Sequence, residues 1–151
     1  MKKRVVITCG YFDPLHIGHL ECFELSKKLA GENGKLMVIL NNDFQCKLKK
    51  GGAFMPENER KKIIEALKPV EEVFISIDKD KTCRESLRTV AKENKDNELI
   101  FTKGGDRFSD EVPEAEVCKE FGIKMVDGLG DKVQSSSWLI EKSEKNGNKN
   151  T

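Results

Sequence analysis

The chain has 151 residues, a length that fits one domain and buries about two-thirds of the unfolded surface, so folding needs no disulfide or metal. Its 27 Lys and Arg residues nearly balance 26 Asp and Glu residues, which excludes a general attraction to nucleic acid or to an anionic membrane. The five cysteines form no C-x-x-C pair, and no apolar run approaches membrane-spanning length, so we expect a cytoplasmic protein with reduced thiols.

Predicted strands and helices alternate along the chain. Apolar runs rich in β-branched residues predict strands at 4–9, 35–40, 70–77, 98–102 and 123–126. Helical periodicity and helix-start signals predict helices at 17–30, 57–67, 82–92, 112–121 and 135–142. Pro56 suits the first helical position, and residues 82–85 resemble a capping box. Residues 41–55 are predicted to form a long, polar, lysine-rich connection.

This alternation predicts an α/β fold, with a Rossmann-like, doubly wound, five-stranded parallel sheet in a single domain over residues 1–142. The polar segment 143–151 has too little apolar surface to fold and is predicted to be a disordered tail. In such sheets ligands bind beyond the carboxyl ends of the strands, at the switch point. Three connections, 10–19, 41–55 and 103–109, are therefore predicted to lie at the functional edge.

The strongest pattern for chemistry lies in residues 8–19, between the first strand and the first helix. A helix amino terminus offers unpaired N–H groups and a positive dipole to a phosphate. His16 and His19 are three residues apart, so they project from one face of the first turn. Gly10 and Gly18 leave room for a close ligand. Two imidazole donors suit a phosphoryl group that gains charge in its transition state.

The two histidines admit other interpretations. They could bind a metal, but no third ligand follows at zinc-like spacing, so we expect no metal ligand among the candidate site residues. They could also cap or pack the helix. Their position after a strand and a glycine-containing loop favours a functional role.

The segment from Gly10 to His19, Gly-Tyr-Phe-Asp-Pro-Leu-His-Ile-Gly-His, resembles the H-x-G-H signature of the nucleotidyltransferase superfamily. The resemblance extends over residues 4–142. Arg60, within Glu-Asn-Glu-Arg-Lys, is similar to a phosphate-binding arginine of the cytidylyltransferases. The Lys103-Gly-Gly105-Asp106 stretch is similar to one in the heptose-phosphate adenylyltransferases, and three serines stand where the family has a Ser/Thr run.

The resemblance implies transfer of CMP or AMP from CTP or ATP to a phosphorylated small molecule, a sugar or polyol phosphate, with release of pyrophosphate and use of Mg²⁺. It implies that catalysis rests on His16, His19 and Lys47, and that substrate phosphate contacts Lys47, Lys50 and Arg60. The residues it implies for nucleotide binding are Gly10, Tyr11, Phe12, Gly18, Lys103, Gly105, Asp106, Ser135, Ser136 and Ser137. It also implies a homodimer, with no nucleic-acid or membrane partner.

Several alternatives stay open. The lysines of the second connection could be solvated, Arg60 could join a surface ion-pair strip, Lys103 and Asp106 could form a turn, and the serines could only cap a helix. The arginine that cytidylyltransferases carry before the serine run is missing near Gly130, which leaves the base undecided. The alternative function is a non-catalytic nucleotide-binding regulatory module. A dinucleotide-dependent oxidoreductase is disfavoured because the first loop lacks G-x-G-x-x-G.

Overall fold

A computed structural model of the chain describes residues 2–104 and 112–129. Five strands lie in this part of the chain: β1 Arg4–Gly10, β2 Lys35–Leu40, β3 Glu72–Ile75, β4 Glu98–Gly104 and β5 Lys124–Leu129. Five helices alternate with them: α1 Ile17–Ala30, α2 Asp43–Lys50, α3 Glu57–Glu65, α4 Arg84–Glu93 and α5 Ala115–Phe121.

The strands form one sheet in the order β3-β2-β1-β4-β5, and every neighbouring pair is parallel. The predicted α/β, Rossmann-like architecture is confirmed. Successive strands run outward from β1 to β3, and the chain then returns to place β4 on the other side of β1. The switch point therefore lies between the carboxyl ends of β1 and β4, where the loop after β1 begins.

Alternation along the strands divides the core into two layers. Side chains of Val5 and Ile7 pack with α4 and α5 on one face of the sheet. Val6 packs on the opposite face, where α1 contributes Phe23 and α3 contributes Ile64. Since Thr8 and Cys9 continue the same strand, they also point to opposite faces, and this separates two groups of polar residues at the functional edge.

The structure differs from the prediction mainly after β2. The predicted connection 41–55 contains the helix α2, which begins with a capping box between Asn42 and Gln45 and ends at Gly51 in a left-handed conformation. The predicted capping box at 82–85 is wrong: α4 begins at Arg84, and Cys83 at its N-cap makes no side-chain cap bond. Helix α3 ends at Glu65, shorter than predicted, and α5 begins at Ala115.

Some predictions fall outside the described residues, namely the last helix at 135–142 and the tail at 143–151. Among the helices that the structure does describe, none combines the length and apolar character needed to cross a membrane.

Candidate functional site

The loop after β1 ends at His16, and α1 starts at the next residue, beside the switch point of the sheet. A buried hydroxyl network fixes this junction. The Thr8 hydroxyl donates to the Thr102 carbonyl at 3.0 Å, and the Ser26 and Thr102 hydroxyls lie 2.9 Å apart. Helix α1 is thereby tied to both central strands, which sets where its amino terminus lies.

His16 and His19 cap α1 with their own side chains. His16 Nδ1 accepts from the Gly18 N–H at 3.0 Å, and His19 Nδ1 accepts from the His16 N–H at 3.1 Å. The two rings stack with their centroids 3.8 Å apart. This is a capping box built from histidines in place of the usual Ser and Glu.

The capping bonds determine which ring nitrogen carries the proton. Because Nδ1 accepts a hydrogen bond in both rings, the neutral imidazoles hold their proton on Nε2. Nε2 of His16 is buried and has no hydrogen-bond partner among the described residues. A buried N–H without a partner is costly, so this atom marks the place where a ligand oxygen would bind.

Both histidines are held neutral. Burial lowers the pKa of His16, and burial together with the nearby His16 lowers the pKa of His19 to about 3. At neutral pH the pair therefore presents N–H donors without a fixed charge. A phosphoryl group that gains negative charge can be stabilised by such preorganised donors.

Phe12 packs beneath His19. Its ring meets the His19 ring edge-on at 4.9 Å, packs against Phe23 at 5.2 Å, and is buried. A Cβ atom at Gly10 would lie 2.8 Å from the Phe12 ring, so the structure gives Gly10 a packing reason for lacking a side chain. The approach of a ligand to Gly10 stays a prediction.

Asp13 fastens the same loop to the segment before α3. Its carboxylate is fully buried and accepts from the backbone N–H groups of Phe54 and Met55 at 2.7 and 2.6 Å. The Nζ atom of Lys50, on α2, lies 2.7 Å from Oδ2 of the same carboxylate. Burial raises the pKa of Asp13, but the bonds from Lys50, Phe54 and Met55 outweigh it and hold the pKa below its usual value.

Arg60 is enclosed, with 1% of its surface exposed. Its guanidinium donates to the carbonyls of Met55, Tyr11 and Asn41 at 2.7, 2.8 and 2.8 Å, and to the Asp43 carboxylate at 2.7 Å. It thus joins the loop after β1, the end of β2, and the segment before α3. The surface ion-pair alternative is wrong, and four engaged donors leave little of the guanidinium for a substrate phosphate.

Helix α2 turns one face toward the loop after β1. Asp43 and Lys50 bind Arg60 and Asp13, and Lys47 lies between them on this face because positions 43, 47 and 50 are about one turn apart. Lys47 is exposed. Lys49 lies over the Tyr11 ring, 4.1 Å from its centroid. Of the predicted phosphate ligands, Lys50 is engaged by Asp13 and Arg60 is buried, whereas Lys47 is exposed.

The predicted site is described in part. Residues 10–19 and 41–55 meet at the carboxyl edge of the sheet, where the Asn41 N–H donates to the Gly10 carbonyl at 2.9 Å. Lys103 lies at the end of β4, at the same edge. Outside the described residues lie Gly105, Asp106, Ser135, Ser136 and Ser137.

Two residues that shape the site were not predicted from the sequence. No role was predicted for Asp13, although a carboxylate inside the signature loop can act as a structural hydrogen-bond acceptor. Asn42 was not singled out, although an Asn three residues before a Gln is a helix-start signal.

The described carboxylates do not fit a resident Mg²⁺ at the histidines. Mg²⁺ keeps several waters and binds through one or two carboxylates together with phosphates. The nearby carboxylate of Asp13 is already engaged on both oxygens, and that of Asp43 binds Arg60.

Comparison with known proteins gives one matching family and several relatives. A sequence model of the cytidylyltransferase-like family matches residues 7–141. An FAD synthase from Methanopyrus kandleri is 38% identical over 80 residues, which cover 53% of each chain. The bifunctional protein HldE from Desulfatibacillum aliphaticivorans is 32% identical over 126 residues, 82% of this chain and 24% of that one. The chain thus spans about half the length, or less, of these curated relatives.

Two solved structures share the fold. A lipopolysaccharide core biosynthesis protein from Thermoplasma volcanium superposes with a TM-score of 0.63 at 25% identity, covering 83% of this chain and 95% of that one. A macrolide-efflux protein from Streptococcus pneumoniae superposes with a TM-score of 0.59 at 22% identity, covering 91% and 49%. At this identity, the likeness to the macrolide-efflux protein supports only the fold.

Proposed function

The chain belongs to the cytidylyltransferase-like family, and from its site we propose that it is a nucleotidyltransferase that moves AMP from Mg-ATP to a phosphorylated small molecule. The single observation that carries the proposal is the histidine pair. Its Nδ1 atoms are used to cap α1, and Nε2 of His16 is buried with no partner in the described part of the chain.

The proposed reaction is an in-line displacement. A phosphate oxygen of the acceptor forms a bond to the α-phosphorus of ATP, the bond from that phosphorus to the β-phosphate oxygen breaks, and pyrophosphate leaves. Nε2–H groups of His16 and His19 donate to the α-phosphoryl oxygens as they gain charge. Lys47 reaches the outer phosphates from α2. The protein holds the groups in place and needs no covalent intermediate.

The names of the relatives favour AMP over CMP as the transferred group. Several relatives are named FAD synthase, and FAD contains an AMP unit. The similarity of Lys103 to Asp106 to the heptose-phosphate adenylyltransferases agrees with this choice. Two acceptors follow for testing: a flavin phosphate, by the name of those relatives, and a sugar or polyol phosphate, by the family resemblance.

The test is pyrophosphate release by the full chain. ATP and CTP, each with Mg²⁺, are combined with riboflavin 5′-phosphate, glycerol 3-phosphate and a set of sugar 1-phosphates, and the AMP or CMP adduct is identified by mass spectrometry. We expect release with ATP and one acceptor, and loss of that release in His16→Asn. A preference for CTP would overturn the choice of AMP. Release in no combination above the level of the variant would favour the non-catalytic regulatory module.

The homodimer stays a prediction. Light scattering of the purified chain over a range of concentrations tests it, and a mass of one chain throughout would contradict it.

A further inference from the structure

A second polar cluster lies at the same edge of the sheet, on the face opposite the histidines. Cys9 of β1 points toward α4 and α5, as Val5 and Ile7 do, because every second side chain of a strand lies on the same face of the sheet. Cys83 immediately precedes α4, and Glu114 immediately precedes α5. Their thiol sulfurs and one carboxylate oxygen all lie within 4.8 Å of one another.

The donor set is suited to a borderline-soft divalent metal. Zn²⁺ binds thiolates at about 2.3 Å and carboxylate oxygens at about 2.0–2.2 Å, which places neighbouring tetrahedral ligands about 3.5 Å apart. Each pair of donors, at most 4.8 Å apart, needs to approach by about 1.3 Å at most. Cys83 lies at the amino terminus of α4, so its side chain faces the cluster from a fixed backbone position.

The ordinary explanation is that the cysteines fill the core and Glu114 caps α4. Buried thiols do act as small apolar groups. Glu114 Oε1 does accept the Cys83 N–H at 3.0 Å. However, Glu114 is only 7% exposed, and a buried carboxylate beside two thiols is a poor way to fill apolar space.

Asn41 adjoins this cluster and can support it. It is 2% exposed, and its Nδ2 has no hydrogen-bond partner among the described residues. In the structure the Cys83 thiol donates to its Oδ1 at 3.6 Å. Turning the amide over would place Nδ2 at that position, where it would donate to a thiolate. In that orientation a metal-bound Cys83 thiolate would accept from Nδ2, and such outer bonds orient metal ligands.

We propose that Cys9, Cys83 and Glu114 form a Zn²⁺ site. Zn²⁺ displaces the two thiol protons, which pass to solvent, and forms two zinc–sulfur bonds and one zinc–oxygen bond. Glu114 ligates through the oxygen that does not hold the Cys83 N–H, and water takes the fourth position. Asn41 donates to the Cys83 sulfur.

The site would fasten the end of β1 to the starts of α4 and α5. Cys9 directly precedes Gly10, and Asn41 also supplies a carbonyl to Arg60. The zinc site therefore supports the loop after β1 from one face of the sheet while the histidines lie on the other. It takes no part in the proposed transfer reaction.

The experiment uses the full chain, reduced and freed of metal with a chelator, and titrates it with Co²⁺ and then Zn²⁺. We expect one equivalent of Co²⁺ to produce a thiolate-to-cobalt charge-transfer band, which one equivalent of Zn²⁺ removes. Zn²⁺ should release about two protons, one from each thiol. It should also raise Tm, because it binds the folded state.

Variants locate the site. Cys9→Ser and Cys83→Ser should each abolish the band, and Glu114→Gln should weaken Co²⁺ binding at least tenfold. Cys22→Ser, which changes a thiol on α1, should leave binding unchanged. Alkylation of the wild-type chain with and without Zn²⁺ maps the ligands without any variant: protection of Cys9 and Cys83 supports the site. Absence of the band in the wild-type chain, or its persistence in the Cys9→Ser/Cys83→Ser double variant, would overturn the proposal.

Discussion

Two groups of polar side chains adjoin the loop after β1, and they differ in how many of their hydrogen-bonding atoms have partners in the described protein. Arg60 and Asp13 have their charges engaged by the protein itself. The histidine pair uses Nδ1 internally and leaves Nε2 of His16 without a described partner. A buried polar group with all its bonds made within the fold stabilises that fold, whereas a buried donor left open indicates a ligand.

The same difference separates the cations that family resemblance implies for phosphate binding. Arg60 has the right charge for phosphate, but its bonds assign it to the structure of the loops. Lys47 has the same sign of charge and is exposed between two residues of α2 that hold the loop. Burial and engaged donors, not charge alone, separate a structural cation from a ligand-binding one.

The largest effect is expected from Arg60→Ala. It leaves three backbone carbonyls without a donor and Asp43 without its ion pair, and loss of one partner of a buried charged network costs about 3–5 kcal/mol. Urea unfolding should show this loss. The matched control is Lys62→Ala, which removes an exposed cation from the same helix and should change stability by less than about 0.5 kcal/mol. An Arg60→Ala chain as stable as the wild type, with only a raised KM, would restore the phosphate-ligand role.

The next effect is expected from His16→Asn. Asn Oδ1 can replace Nδ1 as the cap of α1, while the Nε2 donor is lost. Turnover should fall by roughly 10²–10³, the loss typical of a removed transition-state donor, with little change in Tm. Initial rates of pyrophosphate release and a melting curve measure the two quantities. His16→Gln reverses the roles, because it keeps a donor near Nε2 and loses the cap. Equal turnover in wild type and His16→Asn would contradict the proposed role.

A smaller effect is expected on the stability of the chain at acidic pH. The pKa of His19 is about 3 in the folded chain, against about 6.5 for an unperturbed His. Between these values the unfolded chain binds a proton that the folded chain does not, so stability falls as the pH drops below about 6.5. At pH 5 this amounts to about 2 kcal/mol.

His19→Asn tests that effect, because it retains an acceptor for the His16 N–H and removes the titrating ring. The difference in unfolding free energy between pH 7.5 and pH 5 should be smaller in the variant than in the wild type. Asp13 also loses its stabilising contribution in acid, but it does so in both chains and cancels in the comparison. An identical pH dependence in the two chains would show that His19 titrates normally.

The smallest effect is expected from Lys47→Ala. An exposed side chain contributes little to the fold, so stability should change by less than about 0.5 kcal/mol. One lost contact to a phosphate, worth about 1.4 kcal/mol, should raise KM for ATP or lower kcat about tenfold. Lys62→Ala is again the matched control, because Lys62 is an exposed lysine that makes none of the site contacts described above. Unchanged kinetics in Lys47→Ala would return this lysine to the solvated surface.

Much of the fold could be predicted from the sequence. The bounds of α1 and β2 were predicted correctly, because the strand is almost entirely apolar and the helix follows a distinct loop and ends at a glycine. Helix α2 was missed because it has only eight residues, most of them polar, and its start depends on the bond between Asn42 and Gln45. The position of the histidines at a helix start was also predicted, since strand, loop and helix follow one another directly.

The sequence by itself determined the alternation of strands and helices, the parallel sheet and the place of the histidine signature, because these depend on local periodicity and on neighbours in the chain. Only the tertiary structure decided which donors remain open. Arg60 finds its acceptors at residues 11, 41, 43 and 55, and Cys9 meets residues 83 and 114. Whether a buried polar group has hydrogen-bond partners depends on residues that the folded sheet brings together from distant parts of the chain. The spacing of residues along the sequence does not identify those partners.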